Sequence, residues 1–128
     1  MVERVSTDGA PSSESLPFPQ GTIHGDTVYT SGQVGVDPET GEVVEGGIRA
    51  ETRQTLENVA AILEAAGSSL DDAVKATVFL TDMDDFPAFN EVYAEVVGEP
   101  RPARSAVEVS DLAIDIGVEI EMVAAIEG

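Results

Sequence analysis

Two of the six basic residues in this chain fall in one proline-announced run, Arg101-Pro102-Ala103-Arg104-Ser105-Ala106-Val107-Glu108-Val109. Arg104 is the side chain there with the most to offer chemistry. The run from Ala103 to Val109 alternates, so Arg104, Ala106 and Glu108 share one strand face and Ala103, Ser105, Val107 and Val109 the other. A guanidinium beside small residues suits a pocket, because the neighbours leave room for a ligand while its planar fork grips a carboxylate through two parallel hydrogen bonds. Spacing alone favours the plainer reading, an edge arginine paired to one of the many carboxylates.

Other residues offer less. Phe18 lies in Leu16-Pro17-Phe18-Pro19-Gln20, where flanking prolines hold an aromatic at small entropic cost; it fits a site wall or a plug over the core. Gly32 and Gly35 interrupt a β-branched run, so Ser31-Gly32-Gln33 reads equally as a pocket wall or as a bulge. Asn90 sits in a helical pattern that disfavours asparagine, which points to a specific bond or to plain exposure. Glu119 and Glu121 lie on the polar side of the last strand, where carboxylates are by default solvated. His24 is the only histidine and has no ligand cluster around it; with no cysteine in the chain, thiolate metal sites, thiol nucleophiles and disulfides are excluded.

Composition narrows the partners. The 128 residues fit a single domain over 1–128, with 25 acidic residues against six basic ones and a formal net charge of −19. Such a field repels nucleic acid, whose binding draws on clustered lysine and arginine. No long apolar run spans a membrane and the start lacks the features of a secretory signal, so the expected location is the cytoplasm. Hydrophobic residues still make up 42% of the chain, so the core is ordinary and only the surface is acidic. Lys75 is the single lysine. This pattern points to an extreme halophile, in which molar salt shortens the Debye length to about 3 Å and screens the carboxylates from one another.

The elements that must position these residues follow from periodicity. Val2 to Ser6 alternates weakly and Thr7 to Pro19 reads as a loop; Thr27 to Val36 is a strand. A helix runs from Ile48 to Ala66 and stops at Gly67. A strand follows over Val74 to Leu80 with Val74, Ala76, Val78 and Leu80 inward. A second helix runs from about Asp85 to Val97 with Phe86, Phe89, Val92, Tyr93 and Val96 inward. After the Arg104 strand, Val118 to Ala125 closes the fold. The order gives an α+β domain with two helices on one face of a mixed sheet. The other face, expected to carry Lys75, Thr77, Phe79 and the Arg104 side of its strand, suits a subunit interface and therefore a homo-oligomer. A simple hairpin would set Arg104 opposite a residue later than Glu119, so spacing does not bring these two together.

Several segments together, in order and over nearly the whole chain, resemble one family: Thr30-Ser31-Gly32-Gln33, Asp37-Pro38 to Gly41-Glu42, Thr55-Leu56-Glu57-Asn58-Val59, Leu63-Glu64-Ala65-Ala66-Gly67, Lys75-Ala76-Thr77-Val78-Phe79-Leu80, Asn90 to Tyr93, Pro102-Ala103-Arg104-Ser105 and Val118-Glu119-Ile120-Glu121. They are similar to the Rid family (YjgF type, RidA-like) of reactive-intermediate deaminases. The resemblance implies a chorismate-mutase-like, six-stranded α+β fold and a homotrimer with clefts between subunits. It also implies hydrolysis of enamines or imines such as 2-aminoacrylate to a 2-oxo acid and ammonia, without metal or organic cofactor. Arg104 matches the family's carboxylate-binding arginine and Glu119 the glutamate that holds the attacking water. Phe18, Ser31, Gly32, Asn90 and Ala106 match other cleft positions; Phe18 stands where many members carry tyrosine, and Ala106 where many carry cysteine. The alternative is a member that binds a 2-oxo acid or amino acid without turnover. An RNA-cleaving role, as in some relatives, runs against the charge.

Overall fold

The computed structural model describes residues 2–126. Its strands are β1 (Glu3–Val5), β2 (Gly21–His24), β3 (Thr27–Thr30), β4 (Ala73–Leu80), β5 (Ala103–Glu108) and β6 (Val118–Ala125), and its helices are α1 (Gly47–Ala65) and α2 (Phe86–Val96). Among the described residues they form one sheet in the order β1-β2-β3-β6-β4-β5, with β4 and β5 parallel and the other neighbours antiparallel. A parallel pair cannot be closed by a tight turn, and α2 supplies the crossover between β4 and β5. No described helix is long and apolar enough to cross a membrane.

Both helices pack on one sheet face because their apolar residues recur at helical spacing. Leu56, Val59, Ile62 and Leu63 of α1 and Phe89 of α2 are fully buried against Val78, Leu80, Val118 and Ile120. Gly67, with φ of 88°, takes the left-handed turn that ends α1, and the Ser68 hydroxyl donates to the Ala125 carbonyl at 2.7 Å, tying that turn to β6. On the solvent side Arg49 pairs with Glu91, and Arg53 with Glu95 at 2.6 Å, linking α1 to α2. These pairs are exposed and contribute little to stability.

Several expectations need correction. The strand expected over Thr27 to Val36 ends at Thr30; Gln33 and Val36 make only single bridges, to Ile120 and Val43. At Thr30 the side-chain hydroxyl accepts the Met122 N–H at 3.0 Å in place of a backbone carbonyl, and the pairing with β6 slips by one residue between Tyr29 and Gln33. Beyond that slip Asn58 of α1, fully buried, donates from its Nδ2 to the carbonyls of Val34 at 3.0 Å and Val36 at 2.9 Å. Those carbonyls answer to a side chain rather than to a neighbouring strand. Val74 does not point inward. A bulge between Ala73 and Lys75 shifts the register, so Ala73 and Ala76 are buried while Val74 is 53% exposed. Asp85 belongs to the short turn Met83–Asp85 before α2. The largest correction concerns Arg104. In the parallel register Ala76 lies beside Arg104 and Thr77 beside Ser105, so Arg104 is on the helix-covered face. Ser105 and Val107, not Arg104, join Lys75, Thr77 and Phe79 on the uncovered one.

Candidate functional site

Arg104 is held by α2. Phe86, Phe89 and Tyr93 recur three and four residues apart and so share one helix face, which β5 places its arginine against. The guanidinium carbon lies 4.8 Å from the ring centre of Tyr93, 5.5 Å from Phe89 and 5.6 Å from Phe86. Such contacts fix a cation in place while leaving the in-plane N–H groups free for an anion. No ion pair among the described residues includes Arg104. The cleft it faces has a volume of about 350 Å³ and is lined by Asn90, Tyr93, Ala94, Arg101, Pro102 and Arg104. The Tyr93 hydroxyl is buried without a hydrogen-bond partner. Burial raises its pKa, against the opposing pull of Arg104 and then Arg101, so it stays a neutral donor.

A second cavity, of about 340 Å³ and mostly apolar, opens elsewhere on the protomer between the N-terminal loop and the start of β6. Leu16, Phe18, Val34 and Ile114 give it its apolar wall, and Gly32 and Glu119 lie within it. Its parts are tied down one by one. Gln20 is buried and its Nε2 donates to the carbonyls of Thr7, Ala10 and Pro11, shaping the roof. The Ser31 hydroxyl donates to the Pro19 carbonyl at 2.7 Å and so holds the Phe18 segment. Gln33 and Ile120 exchange backbone hydrogen bonds at 2.8 and 2.9 Å, which sets the Gly32 backbone against Glu119. A Cβ at residue 32 would overlap that carboxylate, so a larger residue there would have to push the Glu119 side chain aside. Burial raises the Glu119 pKa, and Glu121 two residues along the same strand face raises it further.

The structure thus brings Arg104 together with Asn90, and Glu119 together with Phe18 and Gly32. It does not join the two groups within one protomer. Arg104 is level with Ala76 on the helix side of the sheet, whereas Glu119 is level with Phe79 on the uncovered side. Ser31 does not line the second cavity, because its hydroxyl is committed to Pro19. Ala106, beside Val78, is half-buried against the core and is not among the residues lining the Arg104 cleft. The uncovered face carries Tyr29 and Val107, each 45% exposed, with half-buried Phe79, Glu121 and Val123. Sequence reasoning placed Tyr93 only in the core and passed over Arg101 and Asn58. A buried asparagine on the apolar side of α1 was the available signal for the last.

The family model described as Endoribonuclease L-PSP matches residues 9–126. A RutC family protein of Pyrococcus horikoshii is 52% identical over 124 residues, covering 97% of this chain and 98% of its own. A protein of Salmonella typhimurium named 2-iminobutanoate/2-iminopropanoate deaminase is 46% identical over 127 residues, covering 97% and 98%. The crystal structure of Escherichia coli TdcF with bound serine superposes with a TM-score of 0.92 at 41% identity, covering 98% of this chain and 99% of that one. The fold, the order of the motifs and these matches agree that the chain belongs to the Endoribonuclease L-PSP family, the YjgF/RidA group that its sequence resembles.

Proposed function

We propose that the protein is a homotrimeric 2-iminobutanoate/2-iminopropanoate deaminase whose active clefts form where the Arg104 cleft of one protomer meets the Glu119 cavity of the next. The observation that carries this reading is the unpaired Arg104 guanidinium, held over three aromatic rings in a chain with 25 acidic residues. A cation kept apart from so many carboxylates is available for an anionic ligand. The separation of Arg104 and Glu119 by the sheet supports assembly through the uncovered face. Relatives named deaminases and a relative holding a bound amino acid support a small carboxylate as ligand.

The chemistry needs little from side chains. Arg104 holds the substrate carboxylate, Asn90 and the apolar wall position its body, and Glu119 holds a water against the imine carbon. The water oxygen bonds to that carbon and its proton passes through Glu119 to the nitrogen. The carbinolamine hydroxyl then passes its proton through Glu119 to the amine nitrogen as the C=O group forms and the C–N bond breaks, releasing ammonia and a 2-oxo acid. The raised pKa of Glu119 brings it nearer the range in which it can take and return a proton.

Arg104→Ala should lower kcat/KM for freshly generated 2-iminobutanoate by about a hundredfold or more, with the trimer intact by light scattering. Unchanged turnover in that variant would overturn the mechanism. Saturable calorimetric binding of 2-oxobutanoate without any acceleration of imine hydrolysis by the wild type would assign the cleft to a binding protein instead. An RNA-cleaving activity is disfavoured by the net charge of −19.

A further inference from the structure

We infer that the cleft accepts imino acids bearing a second carboxylate, with Arg101 gripping the distal acid group while Arg104 grips the one beside the imine carbon; this rests on the deaminase reading above. Arg101 and Arg104 line the same cavity, so two of the six basic residues in the chain face one small space. The cleft, about 350 Å³ on the protomer alone, leaves room for a compact diacid beside both guanidinium groups.

Arg101 is anchored in a way that presets it for this role. Its Nε donates to the Val97 carbonyl at 3.3 Å and its Nη2 to the Ala94 carbonyl at 3.5 Å. These are carbonyls at the end of α2, where a cation is favourably placed. Its Nη1 reaches Glu99 at 2.9 Å. A guanidinium has five N–H donors, so two remain free. The Glu99 side chain is 76% exposed, which makes that pair weak and exchangeable with an incoming carboxylate. The two arginines are three positions apart in the chain, a backbone span of at most roughly 10 Å, and both line the shared cleft. A monocarboxylate would use one guanidinium and leave the other idle. For a dianion the chain as a whole is repulsive, and two adjacent cations are what short-range capture requires.

The test compares kcat/KM for 2-iminosuccinate and 2-iminoglutarate with that for 2-iminobutanoate, each generated in place from its amino acid, in wild type, Arg101→Gln and Arg101→Lys. The wild type should favour a diacid. Arg101→Gln should reduce the diacid-to-monoacid ratio about tenfold or more, mainly through KM, and Arg101→Lys should restore part of it. Calorimetry with 2-oxoglutarate against 2-oxobutanoate should show the same fall in relative affinity. A ratio unmoved by Arg101→Gln in both measurements, or a wild type that prefers the monoacid, overturns the inference. If no imine is hydrolysed by the wild type, the deaminase reading fails by itself, and the calorimetric ratio still decides whether Arg101 reads a second acid group.

Discussion

A carboxyl pressed against a glycine backbone and facing a second carboxylate is a poor place for negative charge, and Glu119 occupies such a place. Its pKa is raised above the ordinary 4.5 by burial and then by Glu121, so the folded chain holds the proton more tightly than the unfolded one. The sign follows directly. Folding is helped below the ordinary value, and that help is lost as pH rises through the folded value, leaving a charge penalty at neutral pH. Glu119→Gln should therefore melt at a higher temperature than the wild type at pH 7. The gain should shrink to nothing as pH falls below about 4, as scanning calorimetry at both pH values would show; an equal gain at both would remove burial of charge as its cause. On the proposed mechanism the same variant also loses its proton carrier, so stability and turnover should move in opposite directions. Arg104 was legible in the sequence as a candidate because small residues alternate beside it. Which face it used was not, since that depends on β5 pairing parallel with β4 rather than folding back onto β6.

At the scale of elements, α1 does more than cover the sheet. Asn58 extends from it to take the carbonyls of Val34 and Val36, and its Oδ1 accepts from Gln54 Nε2 at 2.9 Å. The segment carrying Gly32 is thereby stapled to the helix at Val34 and Val36, which themselves line the cavity. Asn58→Ala would leave two carbonyls without their donor and open a small void, costing about 2–4 kcal/mol in denaturant unfolding at fixed salt. A loss below about 0.5 kcal/mol would mean that water replaces the amide. The helices themselves were easy to read, because seven-residue stretches with four apolar positions admit few alternatives. The break after Thr30 was hidden, because the β-branched run continues and the Met122 N–H that Thr30 takes with its side chain lies 92 positions further along the chain. The exposed Val74 was hidden for a similar reason: a bulge inverts the alternation on one side of it, here Ala73 and Val74, while Ala76, Val78 and Leu80 keep the inward face, and nothing in Ala73-Val74-Lys75 marks it.

For the whole molecule the acidic surface sets the conditions of stability. Each copy carries a net charge of −19, and the proposed trimer gathers three of them. Screening is nearly complete at molar salt, where the Debye length is about 3 Å, and partial at about 10 Å in 0.1 M salt. Moving from several molar potassium chloride to dilute buffer should therefore lower the melting temperature by roughly 10 °C or more, equivalent to a few kcal/mol for a domain of this size. Sedimentation should show dissociation over the same range; a melting temperature indifferent to salt would contradict both the repulsion and the halophile reading. The overall architecture was legible from the order of elements and from the family motifs. The two-sided placement of Arg104 and Glu119 was not, because a strand register carries no mark in composition. The chain has no tryptophan and two tyrosines: Tyr93 lies beneath the Arg104 guanidinium, and Tyr29 stands on the uncovered sheet face. Its tyrosine emission therefore comes from two places only, so that a phenylalanine replacement at either one leaves an unlabelled optical reporter, of cleft occupancy in one case and of the proposed subunit contact in the other.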